Sequence, residues 1–258
     1  MTAILRSEWT KIRSLRSTVW SFVVLVVLDL GFTALFAWLN ESQWDKNDRQ
    51  FQTAVTADPT SLILGSGLGF GQLAICVLGV MVITSEYATG TIRATLLAVP
   101  RRLPVLAAKS AVFAFVVLVL GVAVSFASFF VGEPILHSRA PVSLGDPGVL
   151  RAVVGGGLYL AMLGLFALAI GAIVRHTAAG ITLVVGVVLV LSAVSRFLSG
   201  DIGKYVRAFL PSGAGSLVTH THQGADDLFT PWQGYAVFAG WTALLVVTAA
   251  ILLRHRDA

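Results

Sequence analysis

The sequence predicts an all-α integral membrane protein: six membrane-crossing helices, an N-terminal interfacial helix, and a short cytoplasmic helix between the second and third crossings. Three observations carry this reading. Hydrophobic residues make up 56% of the 258 and charged residues only 12%, and the mean hydropathy is +0.85, a balance that belongs to chains dissolved in lipid. Six windows are long enough to cross about 30 Å of hydrocarbon at about 1.5 Å per residue. Basic residues also divide unevenly between the two sides that six crossings define. Unpaired backbone groups are not tolerated in hydrocarbon and the windows lack the two-residue alternation of barrel strands, so all six read as helices.

The first sixteen residues form the interfacial helix. At 100° per residue Ile4, Leu5, Trp9, Ile12, Leu15 and Val19 share one arc, opposite Arg6, Ser7, Thr10 and Arg13. The following span is too long, and lacks the small-residue pattern, for a cleaved signal peptide. Glu8 projects from within the apolar arc, where a lone carboxylate is costly. Its partner is Lys11, three residues on, or a basic group of another cytoplasmic segment; both a surface pair and a subunit contact fit.

The spans are expected at about 18–39, 62–84, 105–131, 151–174, 178–197 and 232–253. Asp29 is the one ionisable residue deep in such a window, which makes it either a cation, proton or polar-substrate site or a packing acid that fixes neighbouring helices. Gly65, Gly67, Gly69 and Gly71 open the second span and Gly155, Gly156 and Gly157 the fourth, a pattern that predicts close helix contacts. Cys76 is the single cysteine, so no intramolecular disulfide forms.

Between spans two and three lies SEYATGTIRATLLAVPRR, residues 85–102. Gly90 permits a sharp turn, Thr91 is placed to cap a helix from Ile92 to Val99, and Pro100 ends it. Ile92, Leu96 and Val99 share a face, with Arg93 and Leu97 beside it. That face fills a groove on a soluble partner or packs back on the chain itself. Arg101 and Arg102 meet phospholipid headgroups or acids of a partner.

Two segments face the other side. Residues 43–60 read as a polar connector. In the loop 199–231, Ile202, Tyr205, Val206, Phe209 and Leu210 form the stripe of an amphipathic helix ending at Pro211. His220, His222, Asp226 and Asp227 lack the frame that fixes ligand geometry, so no metal site is assigned. With both termini on one side, that side holds eleven of the 18 Lys and Arg and three acids, against seven basic residues and nine acids opposite. The termini and residues 85–102 are therefore expected in the cytoplasm. No second folded domain is expected, and residues 1–258 read as one transmembrane domain.

The pattern E-Y-x-x-G-T-I-R-x-x-L-L-x-x-P-R-R, an N-terminal E-W-x-K-I-R-S helix and six spans together resemble the permease subunits of type-2 ABC transporters, bacterial exporters in particular. The resemblance covers essentially the whole chain. Glu86, Gly90, Thr91, Arg93, Leu96, Leu97, Pro100 and Arg101 match the family's loop between spans two and three, and Glu8 with Lys11 matches its elbow helix. It implies that residues 85–102 hold the coupling helix that docks on a separate ATPase subunit, which binds ATP and magnesium. It further implies a second permease subunit, a bacterial plasma membrane, and export of a drug, peptide, lipid or glycan-like substrate. The segment before the last span resembles the family's re-entrant or interfacial helices. No G-x-x-x-x-G-K-[ST] phosphate loop occurs, since Gly203 and Lys204 are followed by Tyr205; the chain itself is not expected to be an enzyme or to hold a cofactor. Two readings compete: a secondary transporter that uses Asp29 and no ATPase, and a membrane scaffold that recruits a partner through residues 85–102.

Overall fold

The computed structural model describes residues 2–14, 16–92, 102–224 and 227–255. The predicted coupling-helix residues Arg93, Leu96, Leu97, Val99, Pro100 and Arg101, and the loop acid Asp226, lie outside them.

Among the described residues there is helix and no strand. Helix α1 is Thr2–Ser14 and α2 is Arg16–Ser42. A 3-10 turn, Trp44–Lys46, leads to α3, Arg49–Ala57. The next three helices are α4, Pro59–Ala88, α5, Arg102–Leu136, and α6, Val149–Val174. Helix α7, Thr177–Ser195, contains a π-helical stretch at Gly186–Val190. Two shorter helices, α8 at Gly200–Phe209 and α9 at Pro211–Ser216, precede α10, Pro231–His255. Helices α2, α4, α5, α6, α7 and α10 are long and apolar enough to cross a bilayer and are numbered here as spans 1 to 6. The protein is an all-α membrane protein. The bundle has a near end, where α1 and the C-terminal end of α10 lie, and a far end, where α3, α8 and α9 lie.

Spans 2 and 4 form the centre. Some 67% and 72% of their most apolar stretches are buried, against 22%, 17% and 22% for spans 1, 5 and 6, which turn the rest of their surface outward. Small residues allow the central contacts. A side chain added at Gly157 would collide with the Val122 backbone, and one at Gly79 with the Gly164 carbonyl, each under 3 Å away. Large apolar groups fill what remains: Phe113, Phe238, Leu160, Leu163 and Leu168 are all fully enclosed.

Residues 43–60 are not the connector the sequence suggests. Asp48 caps α3 by accepting from the Phe51 amide at 2.7 Å, and Val55 is buried. A cap and one apolar anchor are enough to make this polar stretch helical. Spans 4 and 5 are joined by a turn at Arg175, the one non-glycine residue with positive φ (59°) among the described residues.

Candidate functional site at the two ends of span 2

At the near end, four charges from three segments close on one another. Lys11 Nζ lies 2.8 Å from Glu8 Oε1 and 2.8 Å from Glu86 Oε1. Lys109 Nζ lies 2.5 Å from Glu8 Oε2 and 2.9 Å from Glu86 Oε1. Two acids and two bases thus form a neutral cluster that ties α1 to the end of span 2 and the start of span 3. Glu8, Glu86 and Lys109 are buried, and such a cluster is tolerable in the interior only because every charge has an opposite neighbour. For Lys11, burial works against the charge, but the hydrogen bonds to Glu8 and Glu86 outweigh it and hold the ammonium above its ordinary range. Trp9 leans on the Phe115 ring at 6.4 Å between centroids, which seats α1 against span 3.

The other side of the same helix end is gripped as well. The Arg175 guanidinium lies over the Tyr87 ring, 5.0 Å from its centroid, and Thr177 Oγ1 donates to Thr84 Oγ1 at 2.9 Å. Span 2 stops at Ala88, Gly90 turns the chain with φ +70°, and Thr91 and Ile92 are already helical. Thr91 therefore lies inside the helix that the sequence has it capping, with its hydroxyl 2.9 Å from that of Thr89. Ile92 is buried.

Asp29 is elsewhere, sealed among spans 1, 2 and 3. One carboxylate oxygen accepts a short hydrogen bond from Ser128 Oγ, and the residue is 0% exposed. Gly67 and Gly71 press directly against it. A side chain at Gly67 would meet Thr33 Oγ1 at 2.2 Å and the Asp29 carbonyl at 2.7 Å, and one at Gly71 would meet Asp29 Oδ2 at 2.9 Å. Both are close helix contacts of the kind the glycine run predicts. Gly65 and Gly69 break that prediction, because a side chain at either would meet nothing in this chain within 4 Å.

That open face belongs to a far-end cavity of about 440 Å³, between span 2, span 5 and the segment 212–220. Its wall is polar. Tyr159 Oη donates to Gln72 Oε1 at 2.6 Å, the Gln72 amide donates to the Gly69 carbonyl at 3.0 Å, and the hydroxyls of Ser192 and Ser212 are 2.5 Å apart. Arg196 stands at the rim. The 212–220 segment is held from two sides. Arg151 donates to the carbonyls of His220 and Thr221 at 2.9 and 3.0 Å, and Asp58 Oδ2 accepts from the Thr221 amide at 2.9 Å. The predicted amphipathic helix is α8. Its stripe residues Ile202, Tyr205 and Phe209 are exposed, Val206 is partly so, and the buried face is the Gly203 side. His220 lines the cavity, and His222 Nδ1 pairs with Thr221 Oγ1 at 2.8 Å.

Residues 4–195 of the 258 match the family described as ABC-2 family transporter protein. The chain belongs to that family. It is a multi-pass membrane transport subunit, the permease of an ABC transporter. Comparison with curated proteins returns no match. Within this permease Glu8, Lys11 and Glu86 meet at one end of the bundle, together with Lys109, to which the sequence reading assigns no role beyond topology. Its one signal was position: a lysine inside an otherwise apolar helix start, beside Ala108 and Ser110.

Proposed function

We propose that this ABC-2 permease is the membrane half of an ATP-driven exporter. A separate ATPase subunit docks on residues 85–102, and a second permease subunit completes the pathway. The observation that carries this is the buried cluster of Glu8, Lys11, Glu86 and Lys109 at the root of that loop. A docking loop that hung from one helix would move alone. Rooted in α1, span 2 and span 3 through paired charges, and held by Arg175 and Thr177 on its other side, it passes displacement to most of the bundle. In this reading the near end is cytoplasmic, α1 lies along the membrane surface, and the cavity opens toward the outer side.

Asp29 supports packing over ion coupling: it lines none of the cavities described and is enclosed by Ser128, Thr33, Gly67 and Gly71. The test is a detergent pull-down of the tagged chain from its native membranes, wild type against Ile92→Asp, Leu96→Asp. Recovery of an ATPase with the wild type and its loss from a variant that still elutes as a single species supports the reading. Absence of an ATPase from both, under conditions that preserve other membrane complexes, refutes it.

A further inference from the structure

The far-end cavity has features that packing does not explain. Gly65 and Gly69 present bare backbone to open space, and their wall continues into buried Gln72 and Tyr159. Gln72 lies thirteen residues into span 2, about 20 Å along the helix, at a depth where polar groups are costly unless used. Internal hydrogen bonds satisfy only part of this set. One N–H of Gln72, further lone pairs on Tyr159, and the acceptor sides of Ser192 and Ser212 remain for a bound molecule.

A second, larger space of about 790 Å³ adjoins the first, sharing Gly65 and His220 with it. Its walls are chiefly apolar, from Phe51, Val55 and Leu62. A chamber that carries hydroxyls and an amide, more polar than the apolar groove it opens onto, matches an amphiphile in both shape and polarity.

Charge narrows the class. Arg196 has no carboxylate partner among the described residues, and the one acid among the described residues lining either space is Asp58. Both of its oxygens are engaged, by the Ser61 and Thr221 amides at 3.0 and 2.9 Å. The smaller chamber thus offers the Arg196 guanidinium and no acid among the described residues, while Asp58 keeps its charge on the wall of the larger space with both oxygens turned to backbone amides. The geometry points to a binding site for an anionic amphiphile, its charged, hydrogen-bonding head between Gly69, Gln72, Tyr159 and Arg196 and its apolar tail along Phe51 and Leu62. This names the substrate class of the proposed exporter and rests on that reading.

The test reads binding rather than transport. Gly69→Cys places a thiol where there is room for it, while the native Cys76 is fully buried. In phosphatidylcholine nanodiscs, dansylundecanoate is expected to slow methanethiosulfonate labelling of Gly69→Cys about tenfold and the matching cationic dansyl amine less than about twofold. Exposed Gly145→Cys is expected to label at an unchanged rate. Adding Arg196→Gln is expected to raise the half-protecting concentration about tenfold, the weight of a charge-assisted hydrogen bond. Equal protection by both probes overturns the anion preference, and no protection by either overturns the site. In phosphatidylglycerol nanodiscs without probe, slowing identifies a bilayer lipid as the ligand and unchanged labelling a water-borne one. If labelling is unprotected while the ATPase still co-purifies, the site fails and the permease reading stands.

Discussion

The two ends of span 2 handle polar groups in opposite ways. At Glu86 four charged side chains converge and pair. At Gly65 to Gln72 the polar groups are neutral, incompletely paired, and face open space. A closed cluster transmits force because it has one arrangement; an open chamber accepts a molecule because it has unused donors and acceptors. One helix carries both, and span 5 touches each end as well, through Thr177 at the first and Ser192 at the second.

The largest expected loss comes from opening the closed end. Lys109→Ala leaves Glu8 and Glu86 sharing Lys11 alone, and removing one member of a buried ion cluster costs about 3 kcal/mol or more; thermal denaturation in detergent should show it as a clear fall in midpoint. The double variant Glu8→Ala, Lys109→Ala should recover part of that loss, and strict additivity would count against the pairing. Next comes Gly67→Ala, which forces a methyl group against the Asp29 backbone and should cost about 2 kcal/mol. Gly69→Ala, one half-turn away, should instead leave stability unchanged or raise it by up to about 1 kcal/mol, since it gains helix propensity without a collision.

Asp29→Asn should lower stability by about 1 kcal/mol or less, keeping a partner for Ser128, and should leave transport in vesicles intact; abolished transport with normal stability would revive ion coupling. The smallest effect is that of pH. Because the folded-state value of Lys11 lies above its ordinary 10.5, its contribution is fully present below that value and is lost only as pH rises through the higher one. Its share of the attachment of α1, compared between wild type and Lys11→Met, should therefore be constant from pH 6 to 9, within about 0.5 kcal/mol.

Hydropathy made the six spans legible, because crossing hydrocarbon imposes a length and a polarity on each segment independently of the others. That Glu8 needs a basic partner was legible locally, because its carboxylate sits on an apolar arc beside Lys11. Lys109 was not, since its partner Glu8 is 101 residues away and no local pattern links them. The glycine run was half legible. Residues two apart on a helix point to nearly opposite faces, so Gly65 and Gly69 were bound to look away from whatever Gly67 and Gly71 touch. The cavity itself depends on α9 folding back between spans, which Pro211 and the small residues of 211–216 allow but do not announce.

The π-helical stretch at Gly186–Val190 gives span 5 a sensitivity that its side chains do not. Such a stretch accommodates one surplus residue, so everything beyond it is turned by about 100° relative to an uninterrupted helix. Ser192 and Arg196 owe their facing to that offset. Deleting any single residue between 186 and 190 would keep hydropathy and net charge nearly as they are, yet swing both groups off the chamber wall. Here the length of the segment, more than the identity of any residue in it, sets the chemistry of the wall.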